Sequence, residues 1–173
     1  MNKKILYLDM DGVVADFEKG IGELCPELKD FKSYEDQKLL SDKIDEICFA
    51  NPEVYHNLPP MEGAFAAVEK LSECYDIYFL STAMWSLPQS FSGKRIWIAR
   101  HFEVIGRKRL ILTHRKDLLL GDFLVDDRLK NGAAEFRGEH IHFGTEKFPD
   151  WESTKNYLIS RFQKPKSNPC NSF

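Results

Sequence analysis

A chain of 173 residues is long enough for one domain with a proper core and one insertion. Hydrophobic residues make up 43% and charged residues 29%, and the net charge is −3, which fits a soluble globular protein and advertises no nucleic-acid polymer as partner. No stretch approaches the roughly 20 apolar residues of a membrane span. No signal peptide is recognisable at Met1-Asn2-Lys3-Lys4, and Cys25, Cys48, Cys74 and Cys170 lack metal-type spacing, so free thiols in a reducing cytoplasm are expected.

Residues 5–17 read ILYLDMDGVVADF. The apolar run before Asp9 has no helical period and reads as a strand buried on both faces. Unpaired carboxylates are costly to bury, so Asp9 and Asp11 at its end call for a chemical reason. Residues 16–57 carry helical amphipathicity, seen in Leu39, Leu40, Ile44, Ile47 and Cys48, and are punctuated by Pro26, Pro52 and Pro59-Pro60. Beyond Gly63 the text alternates. GAFAAVEKLSE reads as a helix, DIYFLST as a strand, SGKRIWIARHF as a helix, RLILT, DFLVDD and HIHFG as strands, and WESTKNYLISRF as a closing amphipathic helix.

This alternation predicts an α/β fold, a Rossmann-like parallel sheet with helices on both faces and a small helical cap inserted after the first strand. Residues 1–16 and 63–173 form the expected core and 17–62 the cap. The tail from Gln163 is expected to fray. Lys94, Arg95, Arg107, Lys108, Arg109 and Arg115 read mostly as solvated charges, and SGKRIWIAR as a core-packing helix with a basic outer face.

Ligands bind such sheets at the carboxyl ends of the strands. There lie Asp9 and Asp11, Ser81 and Thr82, Thr113 with Lys116 close by, and Asp126 and Asp127. Capping or turn roles would explain each acid singly, but clustered carboxylates suit Mg2+, and a hydroxyl and a lysine suit phosphate oxygens. Such a set is an electrostatic clamp for phosphoryl transfer. One carboxylate can act as nucleophile, while the second, two residues on, moves a proton. His56, His101, His114, His140 and His142 form no ligand spacing.

DMDGVVADF, LST, the lysine in LTHRKD and LVDDR stand in the order of the four motifs of the haloacid-dehalogenase-like phosphohydrolases, and Asp11 resembles that superfamily's phosphatase branch. Within it, LDMDGVVADFE, LTHRK, LVDDR and a helical cap after the first motif resemble the 5'(3')-deoxyribonucleotidase family. The resemblance implies Asp9 as nucleophile and Asp11 as general acid and base. Mg2+ would be held by Asp9, the Asp11 carbonyl and the Asp126–Asp127 pair, with Asp126 preferred as the direct ligand. Thr82, with Ser81 beside it, and Lys116 would bind phosphate, and Phe17 and Phe49 would pack against the nucleotide. The second motif continues Ala83-Met84-Trp85-Ser86 where the animal enzymes have serine, proline and lysine. The implied protein is a cytoplasmic monomer or homodimer hydrolysing deoxyribonucleoside monophosphates. Another small phosphomonoester, or a non-catalytic module of the same fold, is the alternative.

Overall fold

The structure, a computed structural model, describes residues 3–163. The tail expected to fray beyond Gln163, with Cys170, lies outside the described residues. Each apolar run after a turn becomes a strand: β1 (Lys4–Leu8), β2 (Tyr75–Ser81), β3 (Leu110–Leu112), β4 (Phe123–Asp126) and β5 (Glu139–His142). All pair in parallel in the order β3-β2-β1-β4-β5, with Leu6 opposite Ile77 on one side and Phe123 on the other. Chain order reverses beside β1, so the connections leaving β1 and β4 diverge and open a crevice at their carboxyl ends.

Alternate side chains of β1 divide between two cores. Leu6 and Leu8 join the larger one, with Ile77, Phe79 and Val125. It is closed by α4 (Ala64–Ser72), α5 (Pro88–His101) and α7 (Trp151–Gln163) through Val68, Leu71, Trp97 and Leu158. Tyr7 turns the other way, toward Leu80 and Leu124. The α/β architecture stands as the sequence indicated, with one difference in how this second face is covered. Ala133 and Phe136, from the loop after β4, pack there with Leu119, which follows a 3-10 turn at Lys116–Leu118, and the cluster holds no residue of an α-helix. The connections 113–122 and 127–138 turn tightly, with Asn131 and Gly132 both at positive φ, and contain no α-helix. A one-turn helix, α6 (Glu103–Gly106), completes the link from α5 to β3. No helix among the described residues is long and apolar enough to cross a membrane.

Between β1 and α4 the chain forms α1 (Phe17–Leu24), two 3-10 turns, α2 (Gln37–Ala50) and α3 (Val54–Asn57). The carboxylates of Asp16 and Asp36 cap α1 and α2 by accepting from free backbone N–H groups. Departure and return are stitched together: Asp16 N donates to Pro59 O at 2.8 Å and Met61 N to Val14 O at 2.9 Å. The segment is also tied to α5, where Trp97 Nε1 donates to Leu58 O (2.8 Å) and Arg100 to His56 O (3.0 Å).

α3 crosses α5 at Gly93, where an added Cβ would stand 2.7 Å from Tyr55 Cβ. Alanine gains up to about 1 kcal/mol of helix propensity over glycine, whereas overpacking costs about 1–3 kcal/mol. Tyr55 is itself buried and has no room to yield. Gly93→Ala is therefore expected to lower the thermal midpoint by about 2–4 °C. An unchanged or raised midpoint in a melting curve would show that the crossing is loose.

Candidate active site

The turn after β1 presents the first two carboxylates. Asp9 N donates to Val125 O (2.9 Å), and the N–H groups of Val13, Val14 and Ala15 all converge on Met10 O. Gly12 sits at φ +75°, and a Cβ there would stand 2.5 Å from Asp127 Oδ2. Glycine is required at position 12 for both the backbone conformation and the approach of Asp127.

Two buried lysines organise the acids. Lys116, only 3% exposed, lies 2.5 Å from Asp126 Oδ2. It also stands 3.1 Å from Asp9 Oδ1, an ion pair whose geometry leaves that oxygen without a hydrogen bond. Lys94 was expected among the mostly solvated charges, and the structure corrects this. It is 0% exposed, 2.5 Å from Asp11 Oδ2 and 3.2 Å from Ser81 Oγ, with its ammonium over the Tyr55 ring at 5.2 Å. The signal was present in the sequence, because Lys94 shares a helical row with Ser90, Trp97 and Ile98, all buried.

Asp9, Asp126 and Asp127 offer carboxylate oxygens within 4.8 Å of one another. Burial, and then the charge of Asp9, push Asp126 up to about 6 and Asp127 up to about 7. Burial pulls Lys116 down, but Asp9 and Asp126 outweigh it and hold the ammonium above its ordinary value. Asp126 is fully engaged, since its Oδ1 accepts from Arg128 N at 2.9 Å and its Oδ2 meets Lys116. Asp127 Oδ1 is buried with no partner. Hard oxygens crowded together, with Asp9 Oδ1 and Asp127 Oδ1 both lacking a hydrogen bond, fit a hard divalent cation.

Asp11 and Asp127 reach an open cleft of about 690 Å³. One wall comes from the insertion, including Phe17, Leu40, Ile44 and Tyr55, and the other from Thr82, Trp85, His114 and Arg128. Phe17 stacks on Tyr55 with ring centroids 5.9 Å apart. Phe49 does not belong here: it is 50% exposed on α2 and absent from the lining. It follows the buried Cys48, and the helical turn carries it off the inner face. Of the two hydroxyls, Ser81 points to Lys94, while Thr82 donates to Thr113 O (2.8 Å) and also lines the cleft. Sequence reasoning missed Tyr55, Trp85, His114 and Arg128 as cleft residues, since exposed or isolated aromatics and charges carry no periodic signal.

Because the folded carboxyls of Asp126 and Asp127 titrate near 6 and 7, above the ordinary 3.8, the metal-free protein holds more protons folded than unfolded between those values. Their contribution therefore falls as pH rises through that window. Asp127→Asn is expected to raise the metal-free melting midpoint at pH 7.5 by about 2 °C or more and to have less effect at pH 5. Equal shifts at both pH values would show that charge crowding at Asp127 is not the cause.

Comparison with known proteins identifies the chain's relatives. The family model described as "5' nucleotidase, deoxy (Pyrimidine), cytosolic type C protein" matches residues 3–155. A protein of Vibrio phage KVP40 named "Putative 5'(3')-deoxyribonucleotidase" is 45% identical over 159 residues, covering 92% of this chain and 86% of its own. A protein of the same name from Bordetella bronchiseptica is 34% identical over 151 residues, covering 79% and 81%. Among solved structures, a haloacid dehalogenase-like family hydrolase from Xanthomonas campestris aligns with TM-score 0.52 at 9% identity over 93% of this chain and 98% of its own. The magnesium-bound HAD-hydrolase YfnB from Bacillus subtilis aligns with TM-score 0.51 at 13% identity over 91% and 99%. The chain belongs to the cytosolic type C 5'-deoxynucleotidase family, phosphoric monoester hydrolases.

Proposed function

We propose that the protein is a cytoplasmic, Mg2+-dependent phosphatase that hydrolyses deoxyribonucleoside 5'(3')-monophosphates through an aspartyl-phosphate on Asp9. The observation that carries this reading is the pairing of Asp9 with Lys116 beside Asp126 and Asp127, while Asp11 stands apart on Lys94. The substrate phosphate is received by Lys94, Lys116 and the Ser81–Thr82 hydroxyls. An Asp9 carboxylate oxygen attacks phosphorus and the phosphorus–ester bond breaks, while Asp11, protonated in the substrate complex once Lys94 turns to the phosphate, gives its proton to the departing sugar oxygen. Asp11 then takes a proton from water as the water oxygen attacks phosphorus. The bond to Asp9 breaks and inorganic phosphate leaves.

Asp9, Asp127 and the Asp11 carbonyl would hold Mg2+, which offsets the charge between carboxylates and phosphate. The orphaned Asp127 oxygen favours Asp127 over Asp126 as the direct ligand, and Asp126 instead holds Lys116. Residues 17–62 act as the cap, placing Phe17 and Tyr55 over the sugar. The partner is a small molecule, held in a cleft of nucleotide size with no basic surface for a polymer required.

Asp9→Asn is expected to abolish phosphate release while the fold persists; more than a few percent of residual turnover would remove Asp9 from the nucleophile role. Asp11→Asn should cost alkyl phosphates about 100- to 10,000-fold and aryl phosphates, whose leaving groups need no proton, far less. Equal losses would assign Asp11 to geometry alone.

Apolar packing at the 2' carbon leaves a ribose hydroxyl unpaired at a cost of about 1–3 kcal/mol. The kcat/KM for dUMP and dTMP should therefore exceed that for UMP by about one to two decades, with activity lost in chelator and restored by Mg2+. Equal use of ribonucleotides, or preference for a sugar phosphate, would refute the nucleotidase reading.

A further inference from the structure

Trp85 is a cost that the fold does not explain. Its indole is 81% exposed, whereas the other two tryptophans, Trp97 and Trp151, are 0% and 2% exposed. A large apolar ring left in water forfeits the burial that makes tryptophan worth carrying. Trp85 nevertheless stands at the site. It lies three residues past Thr82 on the loop leaving β2, and its ring meets His114, from the loop after β3, edge-on at 6.0 Å. Both side chains line the cleft whose floor is reached by Asp11 and Asp127. The cleft also receives Gln37, Ser41 and Asp45, one row of α2 at i, i+4 and i+8, which supplies donors and acceptors suited to the edge of a heterocycle.

We infer that Trp85 is the stacking platform for the substrate's nucleobase, with His114 edge-on beside it. The inference rests on the nucleotidase reading and assigns the base to the core-side lip of the cleft. A planar heterocycle laid on the indole would remove both apolar faces from water, and base–aromatic stacking is strong enough to set affinity and tolerant of base identity. The residue acts on substrate binding and takes no part in the chemical step.

The test compares dTMP with 2-deoxyribose 5-phosphate, which carries the same reacting group but no base. Trp85→Ala should lower kcat/KM for dTMP at least about 10-fold more than for the sugar phosphate, mostly through KM, and Trp85→Phe should recover most of the loss. A binding readout runs beside it. In the Asp9→Asn protein with Mg2+, dTMP should quench tryptophan fluorescence, and the quench should vanish when Trp85→Phe is added. Equal losses on both substrates, with dTMP turned over normally by the wild type, overturn the platform and leave the nucleotidase reading intact. Should the wild type fail to hydrolyse dTMP, the nucleotidase reading falls. The fluorescence titration then decides alone: a quench dependent on Trp85 supports the platform, and its absence overturns it.

Discussion

The centre of this molecule is a problem of charge density. Asp9, Asp11, Asp126 and Asp127 are brought to one sheet edge, three of them with oxygens inside 4.8 Å. Without cations there, these carboxylates would have to take up protons to stay so close together. Lys116 bridges Asp9 and Asp126, and Lys94 answers Asp11. Much of the architecture serves those two ammonium groups. α5 carries Lys94 in on its core face, and the tight turn at Lys116–Leu118 aims the other, anchored by Lys116 N donating to Asn131 O at 2.8 Å. The compensation is incomplete: Asp11 Oδ1 and Asp127 Oδ1 are buried without a hydrogen-bond partner, and so is Asp9 Oδ1, which meets Lys116 only as an ion pair.

The fold and the acids were legible in the sequence because they carry strong local signals. Apolar runs ending in DxDG and DD mark strand ends, and alternating patterns mark a parallel sheet. Lys116 was legible by its place after a strand. Lys94 was passed over because a lysine flanked by another basic residue reads as solvent-facing until its helical phase is counted against Trp97 and Ile98. Phe49 shows the opposite error, an aromatic credited to the site whose phase on α2 turns it outward. The loops over the second sheet face were also beyond reach of pattern reading, since Ala133 and Phe136 bury themselves without any period.

Chemistry and recognition are built from different material. The charged centre is assembled from strand ends and the helix and turn that meet them, with Asp9, Asp126, Lys94 and Lys116 buried and Asp11 and Asp127 half-buried at the cleft floor. The cleft above it mixes helix faces of the insertion with the loops after β2, β3 and β4. Tyr55 joins the two, because one ring both stacks on Phe17 and covers the Lys94 ammonium. A shift of the insertion would therefore be felt at the side chain that holds Asp11.

The pairing of Ala15 with Pro60 has a bearing on how such enzymes diversify. The two ends of the inserted segment are clamped together by backbone hydrogen bonds, independent of what lies between them. Closing a flexible loop costs only about 0.6 kcal/mol more for each doubling of its length. The turn after β1 is thus insulated from changes in length between α1 and α3, whereas Tyr55 and the α3–α5 contacts stay bound to the charged centre. Length can therefore vary in the outer part of the insertion at little thermodynamic cost, while its inner face is constrained by what it covers.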